Sequence, residues 1–331
     1  MIFKQLLKIK DKQYRKLVLH HSLYQMLRPI DSSLALYFKQ RKQNITEFSD
    51  SLPILFLIGI PRSGTTIIYQ YLSIVLNICY TSNLWSTFPK CSPYIRPVLN
   101  ISPPLEFDSF YGNGSKMKSP QEGGFIFNQW FPNIENHYYA EIDNNSENHL
   151  KNYFNSVYST SKKPILIKNG RNSVRLNVLS HIFKTARYIW VHRPPLSIAQ
   201  SILKGREILK GDINTNWTVL PKEWEKIVAL PYQEQVAHQV YCIDQQINQD
   251  LDNIPKENIF EINYSDFCKE PYSIATELCS KFPELKFRPN LPDGIKTKVF
   301  SSSQKIHLNS RDRQRIEAAL KNLYGNRYIA L

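Results

Sequence analysis

Short apolar runs alternate with amphipathic segments along most of this chain. The runs that have the length and apolar content of buried strands are residues 52–58, 164–168, 187–192 and 258–262. The segments in which apolar residues recur at helical spacing are residues 65–76, 175–183, 196–209, 232–251, 272–282 and 311–323. Strands that alternate with helices pair in parallel through right-handed crossovers. The pattern therefore predicts an α/β fold in which helices flank a parallel sheet, with additional helices at the N- and C-terminal ends.

Residues 1–50 precede the first predicted strand and read as basic helices. The cations that interrupt the apolar stretches at the start of the chain are Lys4, Lys8, Lys10, Lys12, Arg15 and Lys16. This segment either packs on its own domain, which is the interpretation we favour, or makes a peripheral contact with a membrane surface. No internal repeat or clear linker interrupts residues 52–290. We therefore predict a basic helical N-terminal extension, residues 1–50, and a single α/β domain, residues 51–331.

The charge of the chain is strongly positive. Its 331 residues include 42 Lys and Arg against 28 Asp and Glu, which gives a formal charge of +14. This excess is either a solvated basic surface or an attraction for an anionic ligand, a nucleic acid or an anionic lipid. The five cysteines are widely spaced and form no C-x-x-C pair, and no secretory signal or long apolar run is apparent. These features predict a cytoplasmic protein with free thiols and argue against a zinc site.

A glycine-containing loop follows the first predicted strand directly. Residues 59–66 read Gly-Ile-Pro-Arg-Ser-Gly-Thr-Thr, and Gly59 and Gly64 have the spacing of a phosphate-binding P-loop. A helix that begins after such a turn presents free backbone N–H groups to an anion. However, Thr65 occupies the position of the lysine that nucleotide hydrolases use, and the nearby cation is Arg62. The loop therefore predicts an oxyanion site that differs from those of ATP- and GTP-hydrolysing proteins, and it argues against a P-loop kinase.

Residues 61–66 resemble the 5′-phosphosulfate-binding loop of the sulfotransferases that use 3′-phosphoadenosine 5′-phosphosulfate. In that family the loop reads P-[KR]-[SC]-G-T-T, with its cation at the place of Arg62. The resemblance implies that the donor is bound by Arg62, Ser63, Gly64, Thr65 and Thr66. It also implies the fold of that family and sulfuryl transfer without a metal ion.

A second segment is similar to the part of this family that binds the 3′-phosphate of the donor. The predicted strand at residues 187–192 is followed by Arg193, and Ser201 lies eight residues later on the next predicted helix. The resemblance implies that Arg193 and Ser201 contact one phosphate, and Ser197 lies on the same helix face. The family often has Asp-Pro after this arginine, whereas this chain has Pro194-Pro195.

The catalytic base of the cytosolic branch of this family is missing from its usual place. Lys168 matches the lysine that lies near the transferred sulfuryl group in relatives, but Asn169 and Gly170 replace the Thr-His that follows it. Residues 119–127 resemble the E-x-x-F segment of sulfotransferases with a glutamate base, which implies Glu122 as the base. The further candidates are Glu106, in the same long irregular connection (residues 89–120), and the more weakly supported His137 and His192.

The resemblance implies an enzyme that moves a sulfuryl group to a hydroxyl or amine. The acceptor is expected to be a small molecule, a glycan or a lipid, and no nucleic acid is expected. The aromatic residues that either line an acceptor pocket or belong to the core are Tyr111, Trp130, Phe131, Tyr138 and Tyr139. The alternative function is a basic nucleotide-, RNA- or anionic-lipid-binding protein with the same fold and without transferase turnover.

Overall fold

The computed structural model describes residues 12–41, 53–107, 114, 116–133, 137–302 and 305–329. Its centre is a five-stranded sheet in which all neighbouring strands pair in parallel, in the order β2-β3-β1-β4-β5. The strands are β1 (Ile54–Gly59), β2 (Cys79–Tyr80), β3 (Ile165–Lys168), β4 (Arg187–His192) and β5 (Ile259–Asn263). The predicted α/β fold with a parallel sheet is confirmed.

The central strand β1 is buried along its whole length. Successive side chains of a strand point to opposite faces of the sheet. Phe56 and Ile58 accordingly join one apolar cluster, while Leu55 and Leu57 join a second cluster on the other face. A strand that is covered on both faces has no polar side to alternate with, which is why it reads as a continuous apolar run.

Helices cover both faces of the sheet. The helices in chain order are α1 (Lys12–Arg41), α2 (Thr65–Val75), α3 (Asn83–Thr87), α4 (Arg96–Leu99), α5 (Gly124–Phe127), α6 (Asn144–Ser161), α7 (Leu176–Ile182), α8 (Pro195–Lys210), α9 (Trp224–Ile227), α10 (Tyr232–Leu251), α11 (Tyr264–Lys269), α12 (Pro271–Lys281), α13 (Asp293–Lys296) and α14 (Ser310–Tyr324). The six helices predicted from apolar spacing are present, with ends that differ by at most one residue. The 18-residue helix α6 was not predicted, because its first two turns are polar.

The N-terminal extension contains one long helix, α1, and residues 1–11 and 42–50 lie outside the described residues. Asp31 is buried, and its two carboxylate oxygens accept hydrogen bonds from the backbone N–H groups of Lys90 and Cys91, at 3.0 and 2.9 Å. This contact attaches the middle of α1 to the α/β domain. Within the described part of the chain, no helix has both the length and the apolar content needed to cross a bilayer.

The candidate site lies at the carboxyl ends of the central strands, where ligands bind in open parallel sheets. Gly59 ends β1, Lys168 ends β3, and Arg193 follows the last residue of β4. Because β1 lies between β3 and β4, these three strand ends are adjacent. The sheet thus brings Gly59 next to Lys168 and Arg193, which follow it by more than a hundred positions in the sequence.

Arg288 should stabilise the helix that follows the phosphate loop. Its guanidinium donates to the carbonyl oxygens of Ser73, Ile74 and Leu76 at the end of α2, at 3.2, 3.2 and 3.4 Å. Arg288→Met leaves these carbonyls unpaired, so we expect a loss of about 1–3 kcal/mol in the free energy of unfolding, measured by urea denaturation. Arg313→Met, which removes an exposed ion pair with Glu317, should cost less than about 1 kcal/mol. Equal losses in the two variants would contradict this role.

Candidate active site

The loop between β1 and α2 turns tightly around its own backbone. The N–H of Ser63 donates to the carbonyl oxygen of Ile60 at 3.0 Å. Gly64 has φ 100°, and a Cβ atom built on it would lie 2.1 Å from Cδ2 of Tyr264. Gly64 is therefore required both for its left-handed backbone and for the close approach of this ring. Ser63 is fully buried with its hydroxyl against Gly59, so its side chain packs inside the loop.

A cavity of about 720 Å³ opens beside this loop. The predicted site residues that line it are Arg62, Gly64, Thr65, Thr66, Glu122, Lys168 and Arg193. Ser63 and Ser201 do not line it, because Ser63 is turned inward and Ser201 lies behind Arg62. The structure thus brings seven of the nine predicted residues to one cavity wall. Their roles remain predictions.

Arg62 is held in an unusual backbone conformation at the cavity. Its φ is 76°, which a non-glycine residue adopts at a cost of about 1–3 kcal/mol. Its side-chain Nε donates to Oγ of Ser201 at 3.0 Å, and its guanidinium carbon lies 5.9 Å from the ring centroid of Trp217. Its carbonyl oxygen accepts a hydrogen bond from Nη1 of Arg193 at 2.7 Å. Neighbouring elements therefore fix both the backbone and the side chain of Arg62.

Arg193 and Arg62 place two positive charges close together. Burial lowers the pKa of Arg193, and the charge of Arg62 acts in the same direction, while Tyr264 opposes it. The guanidinium carbon of Arg193 lies 5.0 Å from the ring centroid of Tyr264. Two cations that repel one another and are partly desolvated are stabilised by an anion that contacts both. The pair is therefore suited to bind a phosphate or sulfate group.

Tyr264 lines the cavity between Gly64 and Arg193, although it was not among the candidate site residues. Only the contact with Gly64 could have indicated this, and that contact joins residues 200 positions apart.

Lys168 and Glu122 form an ion pair at the cavity wall. Nζ of Lys168 contacts Oε1 of Glu122 and donates to the hydroxyl of Thr66 at 3.4 Å. The Lys168 side chain is 6% exposed and that of Glu122 is 35% exposed, so the carboxylate is the accessible partner. The structure thus joins the carboxylate of the long connection to the phosphate loop through a single lysine.

Glu122 lies in a well-fixed part of the long connection. The backbone N–H of Gln121 donates to the carbonyl oxygen of Thr81 at 2.9 Å. In return, the hydroxyl of Thr81 donates to the carbonyl oxygen of Gln121 at 2.5 Å. The side-chain oxygen of Gln121 accepts from the Ser86 hydroxyl and the Gly123 N–H, both at 2.6 Å. These bonds attach the connection to the region around β2 and hold the residue beside Lys168 in place.

The other candidate bases have different surroundings. Glu106 pairs with Lys116 at 2.5 Å on the exposed surface and does not line the cavity. His192 pairs with Glu261 at 2.9 Å and lines a second, smaller cavity of about 320 Å³. Neither residue lines the main cavity with Lys168 and Glu122, although Ile60 of the phosphate loop also lines the smaller cavity.

His137 lines the main cavity and has one nitrogen already engaged. Its Nδ1 accepts the backbone N–H of Leu220 at 2.9 Å, so the neutral ring carries its proton on Nε2. Burial lowers the pKa of His137, and the charges of Arg171 and Arg175 act in the same direction, so that together they bring it to about 3. His137 is therefore a neutral hydrogen-bond donor at physiological pH and a poor candidate for the base.

The aromatic residues noted in the sequence belong mainly to the core. Trp130 and Phe131 are buried, and the guanidinium of Arg175 lies 4.4 Å from the ring centroid of Phe131. Tyr138 and Tyr139 do not line the cavity, and Tyr111 lies outside the described residues. The aromatic residues of the cavity wall, besides Tyr264, are Phe125 and Trp217, which the sequence analysis did not identify.

A strained loop carries Trp217. Thr218 has φ 69°, which is rare for a β-branched residue, and it lines the cavity. Nε2 of the buried Gln239 donates to the carbonyl oxygens of the two residues that flank Thr218. The distances are 3.1 Å to Trp217 and 2.6 Å to Val219. Trp217 also packs where a Cβ atom of Gly205 would be. Strain at a cavity wall that is held in this way is typical of a functional loop.

Comparison of the sequence with known proteins assigns the chain to a family. A profile of the sulfotransferase family matches residues 53–288, which is more than half of the chain. The chain belongs to the sulfotransferase family. No curated protein matches it significantly.

Among the residues that the structure describes, no group of three or more His, Cys, Asp or Glu side chains is placed to hold a metal ion.

Solved sulfotransferases share the fold of this family member. Sulfotransferase STF9 from Mycobacterium avium aligns with a TM-score of 0.59 and 15% identity, over 100% of this chain and 95% of that chain. Sulfotransferase STF1 from Mycobacterium tuberculosis H37Rv aligns with a TM-score of 0.53 and 15% identity, over 92% of this chain and 84% of that chain. The predicted family resemblance and fold are confirmed.

Gly64→Ala should disrupt the phosphate loop of this sulfotransferase in two ways. Alanine is strained in the left-handed backbone conformation of residue 64, and its Cβ atom would clash with the ring of Tyr264. Gly211 is a matched control, because its φ is 73° but a Cβ atom there meets nothing within 4 Å. We expect Gly211→Ala to cost about 1–2 kcal/mol in the free energy of unfolding, and Gly64→Ala to cost more. Combining Gly64→Ala with Tyr264→Ala should cost less than the sum of the single changes. Additive losses in urea denaturation would show that the ring contact is unimportant.

Proposed function

We propose that this sulfotransferase moves a sulfuryl group from 3′-phosphoadenosine 5′-phosphosulfate to a hydroxyl, or an amine, of a small-molecule, glycan or lipid acceptor. The observation that supports this most is the joined pair of Arg62 and Arg193 at the N-terminus of α2. This pair shares its cavity with Lys168 and Glu122. Two adjacent cations suit the anionic groups of this donor, and the lysine–carboxylate pair supplies a cation for the sulfuryl group and a base for the acceptor.

The donor is a co-substrate with negative charge at both ends. Arg62, Thr65, Thr66 and the N–H groups at the start of α2 bind the phosphosulfate end. Arg193 binds the 3′-phosphate, and Ser201 positions Arg62 through their hydrogen bond. Binding at both ends holds the sulfur atom in one place, so that binding energy is used for orientation.

Transfer is a single in-line displacement. The acceptor oxygen forms a bond to sulfur while the bond from sulfur to the bridging phosphate oxygen breaks, and adenosine 3′,5′-bisphosphate leaves. Lys168 and Arg62 stabilise the negative charge that develops on the sulfuryl and bridging oxygens. When Lys168 turns to the sulfuryl group, it releases Glu122, which then accepts the proton of the acceptor hydroxyl.

The donor site is tested by thermal stabilisation with adenosine 3′,5′-bisphosphate. We expect this nucleotide to raise the melting temperature more than ATP with magnesium does, because the loop has no lysine at position 65. The shift should be lost in Arg62→Ala and Arg193→Ala and retained in Arg313→Ala, an exposed arginine of α14. Equal stabilisation by ATP with magnesium, or retention of the shift in both site variants, would contradict the proposal.

Glu122 is tested as the base by separating binding from turnover. Glu122→Gln should retain stabilisation by adenosine 3′,5′-bisphosphate but lose about 10²–10⁴-fold in kcat with an acceptor found by a labelled-sulfuryl screen. Glu106→Gln is the matched control and should leave kcat unchanged, because Glu106 pairs with Lys116 away from the cavity. Turnover that survives Glu122→Gln would exclude Glu122 as the base.

A further inference from the structure

The main cavity has lining residues that have no role in the proposed donor and base. We call five of them the acceptor half: Phe125, Asn128, His137, Arg171 and Trp217. Phe125 belongs to α5, and Arg171 lies in the 3-10 turn at Gly170–Val174. The charge of Glu122 acts on Arg171, so an acceptor whose hydroxyl reaches Glu122 is close to this arginine.

Arg171 brings a positive charge to the acceptor half. Its backbone N–H donates to the side-chain oxygen of Asn169 at 3.0 Å, which fixes the start of the turn. Its guanidinium Nη1 donates to Oδ1 of Asn128 at 3.1 Å. Among the described residues, no carboxylate oxygen lies within 4 Å of this guanidinium, which retains four further N–H donors. Arg171 is thus a fixed cation without an ion pair at the cavity wall.

The neighbouring Arg175 has a different environment. Arg175 is fully buried, its Nε donates to the carbonyl oxygen of His137 at 3.0 Å, and its guanidinium lies on the ring of Phe131. It does not line the cavity, so its contacts are structural. Arg171 is half-buried and lines the cavity, so its donors are accessible to a bound molecule.

The electrostatics of this wall favour an oxyanion. Burial lowers the pKa of Arg171, which means that its charge is partly desolvated, and the charge of Glu122 opposes this shift. His137 adds a neutral Nε2–H donor. Glu122 is the one carboxylate among the described residues that line the cavity. A guanidinium in such surroundings binds carboxylate, sulfate or phosphate groups with two parallel hydrogen bonds.

We propose that the acceptor carries an anionic group, a carboxylate, sulfate or phosphate, which Arg171 binds while the reacting hydroxyl lies at Glu122. This inference rests on the proposed sulfuryl transfer and specifies its substrate class. Arg171 thereby acts as a specificity-determining residue. It selects acidic hydroxy compounds over neutral compounds of the same shape.

The test uses the full chain and pairs of hydroxy compounds that differ in charge. The probes are glucuronic acid with glucuronamide, 4-hydroxyphenylacetic acid with its amide, and glucose 6-phosphate and glucose 6-sulfate with glucose. Turnover is measured with labelled donor, and binding is measured as further stabilisation of the complex with adenosine 3′,5′-bisphosphate. We expect the acidic member of at least one pair to be preferred by about 10- to 100-fold in kcat/KM, the ratio that a charged hydrogen-bonded pair supplies.

Arg171→Gln should reduce this preference to near one, through an increase in KM for the acidic compound. Arg171→Lys should retain part of the preference for the phosphate or sulfate, because lysine binds these as a point charge, and lose more of the preference for the carboxylate. Arg313→Gln is the control for the loss of an exposed arginine. Stabilisation by adenosine 3′,5′-bisphosphate alone should be the same in Arg171→Gln as in the unmodified chain, which shows that the variant folds and retains the donor site.

Three results would overturn the inference. The first is an equal kcat/KM for the acidic and neutral compounds of every pair, and the second is failure of every acidic compound to bind or react. The third is an equal loss of kcat/KM for both compounds of a pair in Arg171→Gln. The last result would mean that Arg171 acts on Glu122 and not on the acceptor. Failure of the proposed function is recognised separately, because adenosine 3′,5′-bisphosphate would then not stabilise the unmodified chain.

Discussion

The hydrogen bond from Arg193 to the carbonyl oxygen of Arg62 is the interaction on which the site depends. It joins the loop after β1 to the residue after β4, and these two strands are neighbours in the sheet. Without a donor to its carbonyl oxygen, the left-handed backbone of Arg62 would lose one of the contacts that offset its strain. The parallel sheet therefore determines the separation of the two arginines, and the hydrogen bond determines their relative orientation.

Helix α8 helps to fix the side chain of Arg62. Ser201 contacts Arg62, and Gly205, one turn later, leaves room for the Trp217 ring that also lies near Arg62. The same helix carries Arg206, whose guanidinium donates to the side-chain oxygen of Gln239 at 3.0 Å. Gln239 in turn fixes the two carbonyl groups around Thr218. Helix α8 thus contacts both the arginine of the phosphate loop and the loop that carries Trp217.

The local sequence pattern predicted most clearly the elements that are fully buried. The strand β1 is buried along its whole length and has no polar residue, and β3 is buried with a polar residue only at its end, so their pattern is unambiguous. The two-residue strand β2 at the edge of the sheet is too short to have a pattern, and the polar first turns of α6 hide its buried face. These elements form because of tertiary contacts, which a local pattern does not record.

The same distinction applies to the candidate site. Arg62, Thr65 and Thr66 belong to one continuous motif, which made them predictable. Glu122 was proposed from resemblance alone, since its approach to Lys168 depends on the bonds between Gln121 and Thr81. Tyr264 and Trp217 reach the cavity through contacts with residues far away in the sequence, Gly64 and Gly205 or Arg62, and no spacing in the sequence indicates this. Arg171 follows Lys168 by three residues, but no motif marks it as a site residue.

The formal charge of +14 allowed two interpretations, a solvated surface or attraction for an anion. The cavity supports the second for a small number of the cations. Arg193 donates to a carbonyl oxygen and lies beside a phenol ring, Arg62 donates to a hydroxyl and lies near an indole ring, and Arg171 donates to an amide oxygen. Each of these neutral contacts fixes the position of a guanidinium without cancelling its charge. Lys168 instead forms an ion pair with Glu122. The proposed proton transfer therefore requires that this carboxylate is released when the donor binds.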